Sequence, residues 1–159
     1  MNACESVANL RWLIEGRAMP SEVAVERMAQ CSCGAVRIVA VGEPQSVVVC
    51  HCVDCQKRTG SAFGVGAYYA QEDVRISGDT TEFVRPTDAG NQFITRFCPQ
   101  CGSSLCWRSG KNPGLVGVAV GAFADASFPP PVRSVWEQSM HDWVRMDAVA
   151  AHFPKGRVS

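Results

Sequence analysis

Short apolar runs, each broken by Gly, Pro, Asp or Ser, fill the chain from Cys31 onward. Val36, Ile38 and Ala40 alternate with Arg37, Val39 and Val41. A period of two sends alternate side chains to opposite faces of a strand. Val47-Val48-Val49 reads as a short buried strand, and further strands are predicted over 62–69, 74–77, 82–85, 92–97, 105–108, 115–122 and 132–138. Gly78-Asp79 and the stretch 88–91 are turn signals. Pro129-Pro130-Pro131 is a stiff spacer. Only 52–58 and 142–151 invite short helices. Strands this short and close predict a mainly β fold, a small barrel or folded-over sheets, and not a doubly wound one.

The beginning of the chain is different. Val7, Leu10 and Ile14 fall at helical spacing within 5–17, and Pro20 would stop that helix. This divides the chain into an extension over 1–28, mobile or helical, a metal-binding domain over 29–153, and a tail over 154–159. Cys4 reads as a free thiol on a mobile end. Met19 and Met28 are alternative starts, and the extension is given no role.

Composition narrows the class. At 159 residues one domain is expected, and 47% hydrophobic content suffices for a core. The formal net charge is zero, so nothing asks for nucleic acid or an acidic membrane. Thiolates on a metal would make the loaded protein more acidic still. No segment has the length of a membrane span, and Trp12-Leu13-Ile14 is too short for a signal-peptide core. Nine cysteines cannot all pair, and a cytoplasmic chain keeps them reduced. Metal binding is the better account.

Phe97-Cys98-Pro99-Gln100-Cys101-Gly102 has the form of a zinc knuckle, with a glycine free to take a positive φ after the second sulfur. Cys31-Ser32-Cys33-Gly34 repeats the trailing glycine. If that pair is extended, both sulfurs face one way. Together the two pairs supply four thiolates, the usual content of a structural zinc site. Between them lies Cys50-His51-Cys52-Val53-Asp54-Cys55-Gln56-Lys57-Arg58. Cys50, Cys52 and Cys55 can converge from a strand end and the turn after it. Three ligands with a vacant fourth position are the pattern of a catalytic or exchangeable zinc. Two Zn²⁺ per chain are therefore expected. Alternation points His51 away from the trio, toward a role in orienting it or moving a proton, with direct ligation as the alternative. Cys106 reads as a small buried hydrophobe, the alternative being a fourth ligand that would close the open site.

These motifs resemble the glutathione-dependent formaldehyde-activating enzyme family, which also includes centromere protein V-like proteins. The resemblance rests on Cys31-x-Cys33-Gly34, on Cys50-His51-Cys52-x-x-Cys55-Gln56-Lys57-Arg58-Thr59-Gly60-Ser61, and on Phe97-Cys98-x-x-Cys101-Gly102-Ser103. It covers roughly Met28 to Trp143, with 134–143 the looser part. It implies an Mss4-like fold, zinc-tied folded sheets also called a β-tent. It implies a structural zinc on Cys31, Cys33, Cys98 and Cys101 and a catalytic one on Cys50, Cys52 and Cys55. The activity implied is that of a carbon–sulfur lyase forming S-hydroxymethylglutathione from formaldehyde and glutathione. The partners are then a small glutathione-like thiol and an aldehyde. A non-catalytic thiol carrier or interaction module of the same fold is the other reading, and the oligomeric state is not set by the sequence.

The chemistry follows from the thiol. Only a thiolate attacks a carbonyl carbon, and zinc favours that form. Three cysteine thiolates already overcompensate Zn²⁺, so a substrate thiolate would need cations nearby. Lys57 and Arg58 are the local ones, with Arg96 and Arg108 more remote, and they could also pair a substrate's carboxylates. Phe63 and Trp107 could wall a pocket or belong to the core.

Overall fold

The computed structural model describes residues 25–156. The helix expected over 5–17 and Cys4 lie outside the described residues. Eleven strands make up most of the regular structure of the described chain, with one α-helix, α1, at Val53–Thr59. β1 (Glu26–Gln30), β2 (Arg37–Val41) and β5 (Val74–Ser77) form a small antiparallel sheet in the order β1-β2-β5. The other eight strands are β3 (Ser46–Cys50), β4 (Gly64–Ala70), β6 (Thr81–Pro86), β7 (Gln92–Phe97), β8 (Ser104–Ser109), β9 (Leu115–Ala119), β10 (Arg133–Val135) and β11 (Ala151–Phe153). They run β11-β10-β3-β4-β9-β8-β7-β6. All pairings in this sheet are antiparallel except β3 with β10 and β10 with β11. Both sheets are open. The fold is thus mainly β with folded sheets, as expected, and the barrel alternative falls.

Alternation predicts the core. Ile38 and Ala40 are buried on β2, Val47 and Val49 on β3, while their neighbours are partly exposed. In one cluster Ile38, Ala40 and Val47 are joined by Ala67, Tyr69, Leu105, Cys106, Val116 and Val118 from the large sheet and by Phe123 and Phe128. Burying a Leu or Ile side chain contributes about 1.5–3 kcal/mol before entropy is counted. Ile38 and Leu105, both fully buried, are among the strongest single contributors.

Three expected elements differ. The strand expected over 115–122 stops at Ala119, where a 3-10 turn takes over Val120–Phe123. The stretch 142–151 forms turns, not a helix. Its buried residues are Val144 and Val149. Five residues apart, they would lie on different faces of a helix, so a helix could not bury both. The Arg145 guanidinium also donates to the carbonyls of Asp142 and Val144, competing with helical bonds. The strand expected over 132–138 is only Arg133–Val135, because Trp136 adopts φ 61 and begins a 3-10 turn. β1 and β11 escape the pattern because each buries little: Ala29 alone is buried in β1.

Candidate metal centres

The β1–β2 hairpin connection carries Cys31 and Cys33, and the β7–β8 connection carries Cys98 and Cys101. The first pair sits in a turn, not the extended segment expected of it. Even so, Cys31 Sγ lies 3.5 Å from Cys33 Sγ, and Cys33 Sγ lies 3.7 Å from Cys98 Sγ. Sulfurs around one tetrahedral zinc at ~2.3 Å sit ~3.8 Å apart. All four sulfurs fall within 4.8 Å of one another. Gly34 (φ 77) and Gly102 (φ 70) take the left-handed conformation that the turns require, donating to Cys31 O and Cys98 O. The Val36 N–H donates to Cys31 Sγ at 3.2 Å, and the Ser32 and Ser103 hydroxyls meet at 2.9 Å across the two turns.

Cys50 ends β3, and Cys52 caps α1, its Sγ accepting the Cys55 N–H at 3.4 Å. Gly60 closes the helix in the left-handed conformation (φ 63), donating to Gln56 O. Strand end, cap and first turn bring the sulfurs of Cys50, Cys52 and Cys55 within 4.8 Å of one another. No fourth Cys, His, Asp or Glu joins them among the described residues. His51 is fully buried and directed elsewhere, with Nε2 3.1 Å from Ser134 Oγ. Burial holds its pKa below the ordinary imidazole value. Cys106 is buried, belongs to neither cluster, and is pushed up to about 11 by burial. The core reading of Cys106 holds.

Each cluster crowds thiols that cannot all ionise unaided. Cys52 is drawn down to about 2 by contacts from the thiols of Cys50 and Cys55, and the same trio drives Cys50 far up. The Ser103 hydroxyl and backbone draw Cys101 down to about 5. A cation held among these sulfurs would let all of them ionise. The donor sets and spacings fit such an ion, and all-sulfur sets suit zinc and other thiophilic metals. Both clusters could hold a metal ion.

Around the trio the sheet is built from an aromatic and guanidinium column. The Arg58 guanidinium lies over the Trp107 ring at 4.2 Å, Trp107 stacks on Phe93 at 6.3 Å, and Arg85 lies over Phe93 at 4.7 Å. Arg85 pairs with Asp54 at 3.0 Å, so the column grips α1 at both Asp54 and Arg58, on either side of Cys55. Cys55 sits above its ordinary value: contact with Cys50 and the Arg58 charge pull it down, while Cys52 and burial push harder upward. Trp107 Nε1–H donates to Tyr68 Oη at 3.3 Å. Burial raises the Tyr68 phenol, and the charges of Cys55 and Cys50 add to it, so it keeps its proton.

A cleft of ≈ 630 Å³ has Arg58, Phe63 and Gly64 in its walls together with Cys31, Cys101 and Ser103, and so joins the surroundings of the two clusters. Lys57 is exposed and outside those walls. Arg96 and Arg108 lie on the other face of the sheet, both paired to Glu82. Sequence reasoning missed Gln56, whose amide donates to His51 O (2.7 Å) and Ser139 O (2.9 Å) and accepts His141 Nε2 (3.1 Å). It missed Tyr68, Phe93 and Arg85 too. Their only sequence signal was position on strands whose register places them beside Trp107.

A family model described as glutathione-dependent formaldehyde-activating enzyme matches residues 26–145 of the 159. A crystal structure of a Rhodobacter sphaeroides protein is similar at a TM-score of 0.48 and 20% identity, over 79% of this chain and 98% of that one. No curated protein matches the chain.

Proposed function

The chain belongs to the glutathione-dependent formaldehyde-activating enzyme family, and we propose that it is a zinc-dependent carbon–sulfur lyase joining a small glutathione-like thiol to formaldehyde or another aldehyde. The observation that carries this reading is the Cys50/Cys52/Cys55 trio, three convergent sulfurs with no fourth protein ligand among the described residues. In this reading Cys50, Cys52 and Cys55 hold the catalytic zinc, and Cys31, Cys33, Cys98 and Cys101 hold a structural one. A bound zinc would favour the thiolate of a substrate thiol at the fourth position.

The chain's own residues supply the rest. Arg58, fixed over Trp107, offsets the negative charge that three cysteine thiolates and a substrate thiolate bring together. The cleft walled by Arg58, Phe63 and Ser103 takes the body of the thiol, with Arg58 free to pair a carboxylate. Tyr68 holds a proton beside the trio, within reach of the charge of Cys55. Lys57, exposed and outside the cleft walls, adds only its positive charge to this end of α1.

Exchange NMR with glutathione and formaldehyde on zinc-loaded protein tests this. Protein should speed the interconversion of free thiol and adduct, and Cys52→Ser should abolish the effect. Equal rates with and without protein, on material shown to carry metal at both clusters, would leave a thiol carrier or interaction module in its place.

A further inference from the structure

The residue that joins Cys50 to Cys52 is held by every polar group but one. The His51 N–H donates to Val135 O at 3.0 Å, and its Nε2 lies 3.1 Å from Ser134 Oγ, both on β10. The His51 carbonyl accepts the Gln56 amide at 2.7 Å and the Ser139 hydroxyl at 3.0 Å. That hydroxyl has one proton to give and faces Trp136 O as well, at 3.1 Å, so Gln56 is the undivided donor to His51 O.

Gln56 directly follows Cys55 on α1. Its side chain reaches back across the cap and ties the last of the three cysteines to the link between the first two. The same amide nitrogen donates to Ser139 O at 2.9 Å. Both partners are carbonyls, which only accept, so this end of the amide is the nitrogen and its two N–H groups are spent. The oxygen end accepts from His141 Nε2 at 3.1 Å, and His141 sits beside the exposed ring of Trp143. The amide is thereby oriented from both ends.

The consequence lies in the sulfurs. Cys50 and Cys52 flank a single residue, so their separation changes with rotation about the two soft backbone bonds of His51. The distance of Cys55 from both changes with the tilt of α1 against the end of β3. Gln56 opposes both movements at one carbonyl. We propose that Gln56 is a positioning residue for the trio, presetting the three sulfurs for a metal ion, with His141 fixing its amide. The inference rests on the trio as a metal site and not on the reaction proposed there. Sulfurs held from outside cannot swing away one at a time, so the chief effect is on how fast the ion leaves.

Zinc release from the loaded full chain to a chromophoric chelator tests it, with Cys52→Ser identifying the phase that belongs to the trio. Gln56→Met keeps the length of the side chain and removes its hydrogen bonds. Gln56→Glu keeps the shape and turns an oxygen on two carbonyls. Gln56→Met should speed the trio phase about 10- to 100-fold, the usual effect of losing a hydrogen-bond partner behind metal ligands, and Gln56→Glu at least as much. His141→Phe keeps a ring beside Trp143 and should speed the phase less. The four-cysteine phase and the circular dichroism should match the parent in all three. Cobalt loading supplies a second measurement: the parent absorption minus that of Cys52→Ser belongs to the trio, and it should shift in Gln56→Met. A trio phase at the parent rate in both Gln56 variants, or acceleration of both phases together, would overturn the inference and leave the trio a metal site. A parent with no release phase beyond that of Cys52→Ser would overturn both.

Discussion

The Arg58 guanidinium rests 4.2 Å over the ring of Trp107, and its terminal nitrogen donates to Ser104 Oγ at 3.3 Å. One side chain on α1 is thereby fixed to β8, and with it a cation whose charge acts on Cys55. Arg58→Gln should weaken thiol binding about tenfold, the loss of one charge-assisted hydrogen bond worth about 1.5 kcal/mol. Arg58→Lys keeps the charge and loses the planar fork, so it should fall between parent and Gln. Titration of metal-loaded protein with glutathione measures both. Identical affinities in all three proteins would remove Arg58 from the site.

The indole of Trp107 occupies the space above Gly66 on β4 and Gly117 on β9, where a Cβ at either position would collide with ring atoms. Gly117→Ala should therefore destabilise the fold by about 1–3 kcal/mol, as overpacking does. It should also shift the Arg58 stack. Urea denaturation reads the first effect and the glutathione titration the second.

The two cysteine clusters should respond differently to loss of one sulfur. Metal analysis should find two ions in the parent protein. Cys52→Ser should retain one ion and a cooperative thermal transition. Cys98→Ser should lose the cooperative transition, because the cluster it belongs to ties the β1–β2 turn to the β7–β8 turn, and structural zinc contributes on the order of 10 kcal/mol. A chelator strong enough to strip both ions should reproduce the Cys98→Ser spectrum.

His152 Nδ1 and Glu137 Oε1 are 2.6 Å apart. The Glu137 carboxylate raises the pKa of His152 above its ordinary 6.5, and this folded-state rise stabilises the protein below that value. The contribution disappears as pH climbs through the raised value. Glu137 is held below its ordinary value: burial opposes this, but bonds from Ser134 and His152 prevail. Its contribution is present above 4.5 and lost as pH falls through the lowered value. The melting-temperature difference between parent and His152→Gln should thus be larger at pH 6 than at pH 8.5. A difference that does not change with pH would exclude the ion pair as its source.

Asp54 and Arg85 pair at 3.0 Å with Asp54 half exposed. Asp54→Asn should cost less than about 1 kcal/mol of stability. Its larger effect should be on the placement of Cys55 one residue later, read as faster release of the trio's metal to a chelator.

Local spacing carried the cysteine clusters. Sulfurs two or three residues apart converge through the chain's own geometry, and Gly34 and Gly102 announced their turns by residue type. The β2 and β3 alternation was equally plain, because Ile38, Ala40, Val47 and Val49 face a core. What was hidden depends on register. Nothing near Trp107 in sequence reveals that it lies over Gly66, a contact across 41 residues of chain that only the β4–β9–β8 pairing settles. For the same reason the sequence left Arg96 and Arg108 as more remote candidates than Arg58 without placing them, and strand alternation sends both to the far face. The 142–151 stretch misled because its apolar residues suit a helix by type and not by spacing.

The four-cysteine cluster also sets an order of events in synthesis. Cys33 and Cys98, in sulfur contact when folded, are 65 residues apart in the chain. Cys31, Cys33, Cys50, Cys52 and Cys55 all leave the ribosome before the second half of that cluster exists. An early metal ion therefore meets half of the four-cysteine cluster together with all three sulfurs of the trio. The four-cysteine cluster can close only once the β7–β8 connection that carries Cys98 and Cys101 has emerged, so a late segment decides where Cys31 and Cys33 send their metal.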